Sequence, residues 1–218
     1  MNHKLSSPKQ QSEKPTFIFN NKEYTCYHTG DASERAIEIP LGMEILKKYE
    51  GKKVLEVGNV LKNKYFGLTH TVVDLFEQAP PEHEVINEDI EFFDRGDKYD
   101  LIICISTLEH IGWDHVVKDP EKLLRAFNHM QDLLALQGKL FLTVPLGYNS
   151  YLDSLVLNNA LSLTEQSILM RLPNKAPEDW FQVDLFKDVI GKYELKLGYP
   201  NTHATIILIG ELNDHSES

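Results

Sequence analysis

Only two cysteines, Cys26 and Cys104, occur in 218 residues, too few for a disulfide framework. Cys104 lies inside an apolar run, where a free thiol behaves as a small hydrophobe. No stretch reaches the roughly 20 consecutive apolar residues that a membrane-spanning helix needs. The opening residues, M-N-H-K-L-S-S-P-K-Q-Q-S-E-K-P, contain no apolar core of a secretory signal, so the cytoplasm is the expected address. No cluster of Lys and Arg relieves a net charge of −11. Phosphate backbones reward basic patches, so neither nucleic acid nor a membrane is expected as a partner. The chain lacks a G-x-S-x-G turn, which excludes the common serine-hydrolase elbow. The run Glu109-His110…Asp114-His115 matches neither H-E-x-x-H nor a facial triad, and no metal is expected.

What is present suits one globular domain. Hydrophobic residues make up 42% and charged residues 25%, ordinary values for a chain able to bury a proper core. Residues 1–15 read as a disordered tail and residues 213–218 as a polar one. Between them, residues 16–212 read as a single domain whose first part, 16–50, forms an N-terminal cap. Residues 16–27 suggest a hairpin around N-N-K. Residues 32–49 suggest two short helical pieces, because Pro40 should break a single helix. From residue 53 strands and helices alternate. Val54, Leu55 and Val57 form a first strand, residues 71–75 a second, 85–87 a third, and the β-branched run 100–106 a central parallel one. Asp119 as N-cap, Pro120 at the first helical position and an apolar face from Leu123 to Leu134 mark the clearest helix, stopped by Gly138. Residues 139–144 follow as a fifth strand. Residues 162–171 fit either a capped helix or an extended segment, residues 179–190 look helical, and 204–210 close the sheet. The alternation predicts a doubly wound α/β domain.

In such sheets ligands bind beyond the carboxyl ends of the strands, and the residues at those ends carry chemistry. Glu56 and Gly58 close the first strand, and a glycine there lets backbone approach a ligand without a Cβ clash. Asp74 ends the second strand, sixteen residues after Gly58, where a carboxylate can accept both hydroxyl protons of a ribose. Asp89 and Ile90 follow the third strand. Residues 106–110, S-T-L-E-H, leave the fourth and would line the same crevice.

The motifs V-L-E-V-G, V-V-D, E-D-I, Y-D-L-I…L-E-H-I and G-K-L-F-L-T-V-P, spread over residues 52–146, together resemble the class I S-adenosylmethionine-dependent methyltransferases. The resemblance is to a bacterial subgroup of unassigned substrate that often accompanies surface-polysaccharide genes. It implies a Rossmann-like, doubly wound, seven-stranded and mostly parallel sheet. It further implies S-adenosylmethionine as cofactor and methyl transfer to an oxygen or nitrogen of a small-molecule acceptor, with a sugar or nucleotide sugar suggested by association. Glu56, Gly58 and Asn59 would cradle the methionine end, Asp74 and Leu75 the ribose, Asp89 and Ile90 the adenine, and Ser106 and Thr107 the floor.

The family's turn reads E-x-G-x-G-x-G, whereas here Glu56-Val57-Gly58-Asn59-Val60-Leu61 lacks the second and third glycines. That weighs against a nicotinamide dehydrogenase, whose pyrophosphate needs close backbone approach at the second glycine. A non-catalytic protein that binds the cofactor as a sensor or scaffold is the other alternative. A hydroxyl acceptor needs a base, for which His110 is the first candidate and His28, from the cap, the second. His110 could instead simply pack at the start of the following turn. Trp113, Tyr148 and Asn149 lie on loops at the same edge, where substrate contacts or ordinary loop packing are both readings. Arg35 could bind an anionic substrate group or pair with Glu34 or Glu38.

Overall fold

The structure, a computed structural model, describes residues 14–28, 33–77, 84–171, 179–195 and 204–213. Parts of the two expected terminal tails lie outside these residues, as do residues 29–32, 78–83, 172–178 and 196–203. Strands β1 (Thr16–Phe19) and β2 (Lys22–Thr25) form a hairpin. Asn20 and Asn21 turn it with φ of 48° and 61°, the left-handed conformation that asparagine tolerates best among non-glycine residues.

Helix α1 (Arg35–Lys48) runs unbroken through Pro40, where two pieces are expected from sequence. Proline removes the N–H that would bond to the carbonyl four residues back. Here that carbonyl, on Ala36, accepts the N–H of Tyr27 at 2.9 Å instead. The entry segment thus satisfies the group that proline leaves open, and the helix continues.

Strand β3 (Val54–Val57), the single-turn helix α2 (Leu61–Lys64), β4 (Thr71–Val73), β5 (Val85–Ile86) and β6 (Tyr99–Ile105) follow. A short helical turn, Leu108–His110, leads on to α3 (Lys122–Asp132). The helix begins later than Asp119 and Pro120 predict: the Asp119 carboxylate bonds Arg125 at 2.6 Å, and its carbonyl accepts the Lys122 N–H at 3.1 Å in a turn that precedes the helix. Nor does Gly138 end it. Strand β7 (Leu134–Pro145) already includes that glycine, where an added Cβ would lie 2.8 Å from the Tyr99 carbonyl oxygen. The chain ends with α4 (Ser150–Leu157), β8 (Glu165–Arg171), β9 (Trp180–Val183), a π-helical turn at Leu185–Val189 and β10 (Ile206–Asn213). Residues 162–171 are therefore mostly extended. The helix expected over 179–190 is a strand followed by a turn, since the aromatic and β-branched run W-F-Q-V pairs with β8.

The main sheet runs in the order β5-β4-β3-β6-β7-β10-β8-β9. Strands β3 to β7 are mutually parallel, β10 enters antiparallel between β7 and β8, and β9 returns antiparallel along β8. This is a doubly wound, Rossmann-like α/β fold with eight strands rather than the seven expected from sequence, the extra one being β9. Alternation along β6 separates two cores. Ile102 and Cys104 join α3 and α4 on one face, while Leu101, Ile103 and Ile105 join α1 and the hairpin on the other. Strands β3 and β6 are buried on both faces, so apart from Glu56 and Asp100 they are apolar. Among the described residues no helix is long and apolar enough to cross a membrane.

Ile103 is fully buried at the centre of this sheet. Ile103→Ala should lower unfolding free energy by about 2–5 kcal/mol, the usual cost of such a truncation, read as a reduced urea midpoint with unchanged slope.

Candidate functional site

The connection from β3 runs to β4 on one side, while β6 lies on the other, so the strand order reverses at β3. Ligands of open α/β sheets bind at this switch point. A cavity of about 590 Å³ opens there, within the range of small-molecule sites.

Gly58 lines it with φ +83°, and an added Cβ would stand 2.1 Å from the Thr107 hydroxyl oxygen. Only glycine fits between the β3 turn and the end of β6. Asn59 is buried beside it. Its Nδ2 reaches Glu77 Oε1 at 3.5 Å, while its buried Oδ1 has no partner among the described residues. Asp74 Oδ1 accepts the N–H groups of Phe76 and Glu77 at 2.9 and 2.7 Å. This short turn fixes the carboxylate, and Oδ2 accepts nothing from the described residues. Leu75 and Ile90 supply apolar wall, and Asp89 is ion-paired to Lys122. Ser106 sits at φ +38°, strained for a residue with a Cβ. Its hydroxyl donates to Glu38 Oε1 at 2.5 Å, and the Thr107 hydroxyl donates to the Ile105 carbonyl at 2.9 Å.

Among its charged residues the wall is mainly acidic. Asp74, Glu77, Glu88, Asp89 and Asp114 line it, against Arg35 and Lys122. Both cations are already paired, Arg35 to Glu38 at 2.7 Å and Lys122 to Asp89. Of the two partners expected for Arg35, Glu38 is the one it holds.

His110 lines the cavity. Its Nδ1 lies 2.6 Å from Asp114 Oδ2, and its Nε2 lies 3.5 Å from Glu109 Oε1. Tyr148 does not line the cavity, but its hydroxyl donates to Asp114 Oδ1 at 2.7 Å and its ring lies 4.8 Å from that of His110. Burial, and then the bond to Asp114, push the Tyr148 phenol up to about 12.

Besides Tyr148, four candidates stand outside the lining. Glu56 is fully buried behind the cavity. It accepts the N–H groups of Val60, Leu61 and Lys62 at 2.8, 2.5 and 3.2 Å and pairs with His70 at 2.6 Å, so it shapes the turn without facing the ligand space. His28 is absent from the lining; its ring meets the edge of Tyr27. Trp113 is also outside it, covered by the Lys118 ammonium at 4.0 Å. Asn149 is fully buried, capping α4 through Tyr151 and Leu152 and donating to the Glu109 carbonyl at 2.9 Å. A residue with all its polar atoms so engaged is structural.

One buried acid, Glu38, lies away from any strand end, and a second, Glu109, falls within the expected 106–110 segment without lining the cavity. Glu38 accepts from Ser106, from Thr143 at 2.7 Å and from Arg35. Burial raises its carboxyl above the usual range, partly offset by Arg35. The signal was an acid within the apolar run A-I-E-I-P-L. Glu109 is buried next to His110, and its Oε2 has no partner among the described residues. Burial lifts its carboxyl well above the usual range.

No protein-family model and no curated protein matches the chain. Among solved structures it is similar to the N-methyltransferase NodS from Bradyrhizobium japonicum WM9 in complex with S-adenosyl-L-homocysteine, at 14% identity over 81% of this chain and 86% of that one, TM-score 0.47. A second is an S-adenosylmethionine-dependent methyltransferase, possible histamine N-methyltransferase, from Thermotoga maritima, at 14% identity over 78% and 88%, TM-score 0.44. A third is the glycopeptide N-methyltransferase MtfA complexed with S-adenosyl-L-homocysteine, at 11% over 87% and 92%, TM-score 0.42. The fold described above rests on this chain's own strand order.

The raised Glu109 carboxyl has a definite consequence for stability. Below the unfolded-state pKa both states are protonated and burial of the acid costs nothing. Above it the unfolded chain ionises first, so the wild type loses stability as pH rises, until the folded pKa is passed. Glu109→Gln should therefore gain stability relative to wild type from pH 4 upward. Urea midpoints measured across pH 4–9 check this, and a constant difference between the two proteins would contradict it.

Proposed function

We propose that this protein transfers a methyl group from S-adenosylmethionine to an oxygen or nitrogen of a small molecule. The observation that carries the reading is one cavity, at the switch point, that joins the Gly58 cradle to a fixed Asp74 carboxylate within an acidic wall. Acidic walls favour a cofactor bearing a sulfonium and an ammonium group, and disfavour the pyrophosphate of a nicotinamide cofactor. The buried Asn59 oxygen without a partner also fits, since an ammonium group of the methionine end would satisfy it.

In this reading Gly58 and Asn59 hold the methionine end and Asp74 Oδ2 accepts from the ribose. Leu75 and Ile90 pack the adenine, with Asp89 at its edge, and Ser106 and Thr107 form the floor. When bound, S-adenosylmethionine supplies an electrophilic methyl on sulfur. The chain supplies position and a closed wall, and alignment of donor and acceptor accounts for much of the acceleration. Arg35 and the cap of residues 16–50 border the acceptor, for which a sugar or nucleotide sugar follows only from the sequence resemblance. The protein is read as cytoplasmic, with a small-molecule acceptor as its partner.

Calorimetric titration with S-adenosylhomocysteine tests the cofactor. Wild type should bind in the micromolar range, and Asp74→Ala should weaken binding at least tenfold, the worth of a charge-assisted hydrogen bond. Folded wild type that binds nothing would end the methyltransferase reading and turn attention to nicotinamide cofactors.

A further inference from the structure

The side chains of His110 and Asp114, on the cavity wall, form with Tyr148 behind them a connected chain that cofactor binding does not require. His110 belongs to the short turn after β6, and Asp114 follows it by four residues on the same loop. Both carboxylate oxygens of Asp114 are engaged, Oδ2 with His110 Nδ1 at 2.6 Å and Oδ1 with the Tyr148 hydroxyl at 2.7 Å. A carboxylate only accepts hydrogen bonds, so the imidazole proton stands on Nδ1. In the neutral ring Nε2 then carries the free lone pair. Tyr148, whose phenol is held protonated well into alkaline pH, stays a donor to Asp114 and packs against the imidazole. The ring is thus fixed in tautomer and in orientation, which surface histidines seldom are.

We propose that Asp114 is a positioning residue that holds His110 as the base for the methyl acceptor, and that the acceptor's reacting atom is a hydroxyl or an ammonium nitrogen, which must shed a proton. This rests on the methyl-transfer reading above. The proton passes from the acceptor O–H or N–H to His110 Nε2, and the lone pair so exposed forms the new bond to the methyl carbon. The electron pair of the broken sulfur–carbon bond stays on sulfur. Asp114 stabilises the imidazolium until the proton leaves to solvent, the service an orienting carboxylate gives a histidine base. Acceptors with no proton to lose, such as thioethers or tertiary amines, gain nothing from this arrangement. Glu109 flanks Nε2 at 3.5 Å and, being favoured in its neutral form by burial, leaves that nitrogen without a second fixed charge.

Diethyl pyrocarbonate, which adds to the unprotonated imidazole nitrogen, probes the base without knowledge of the acceptor. In wild type His110 should be carbethoxylated faster than His115, the other histidine on the cavity wall. Asp114→Asn should slow His110 by about tenfold, the value of one hydrogen bond to a charged group. Nitrogen NMR of the ring should show the proton on Nδ1 in wild type and Tyr148→Phe, and a shift of the tautomer to Nε2–H in Asp114→Asn. A His110 that reacts no faster than His115, or a tautomer indifferent to Asp114→Asn, would overturn the proposal. Neither readout needs the cofactor. A protein that shows the Nδ1–H tautomer yet binds no S-adenosylhomocysteine would instead overturn the methyl-transfer reading, and with it the acceptor class, while leaving the pair itself intact.

Discussion

The carboxylate of Glu56 organises the turn on which the cavity depends. It takes three successive backbone N–H groups and the His70 ring while fully buried. Those N–H groups open α2 and would otherwise be buried without partners, a cost of about 1–3 kcal/mol each. Their capture bends the chain sharply after β3, so that Gly58 faces Thr107 and Asn59 turns into the cavity. The glycines that the resembling family places here are missing, and the turn is held from behind by a side chain.

A second buried carboxylate, Glu38, ties the cap to the sheet. Its oxygens accept from Ser106 at the end of β6, from Thr143 near the end of β7 and from Arg35 on its own helix. Charge buried in a protein interior is expensive unless it is bonded in this way. The network also accounts for the strained Ser106 backbone, whose hydroxyl makes a short bond to Glu38. Helix α1 thereby closes one side of the cavity, with Arg35 presented to it. Glu109 lacks such partners on one oxygen and answers the same burial by favouring its neutral form. Burial raises both acids, and at Glu38 the donors Arg35, Ser106 and Thr143 offset that rise.

Much of the fold is legible in the sequence. The apolar runs of β3 and β6 announced central parallel strands, and the carboxyl ends of β3, β4, β5 and β6 named Gly58, Asp74, Ile90, Ser106, Thr107 and His110, all of which line the cavity. Misreadings cluster where a local signal was outweighed by a distant partner. Pro40 stays inside a helix because Tyr27 takes the carbonyl it frees. Residues 180–183 join the sheet because β8 offers an edge. Asn149 and Glu56 looked like ligand contacts and are consumed by backbone N–H groups.

The sequence alone determined the class of the domain, because hydrophobic periodicity and strand-end residues are local properties of the chain. It also determined which strand ends carry polar chemistry. Tertiary structure decided which polar side chains remain available to a ligand. Glu56, Asp74 and Asp114 are all carboxylates near strand ends or turns, and nothing in their neighbours along the chain tells them apart. Only folding turns Glu56 inward onto three N–H groups, leaves Asp74 with an oxygen to offer, and sets Asp114 against His110 and Tyr148. A buried acceptor must be satisfied by whatever donors the fold brings within about 3 Å, and that set is fixed by packing rather than by sequence order.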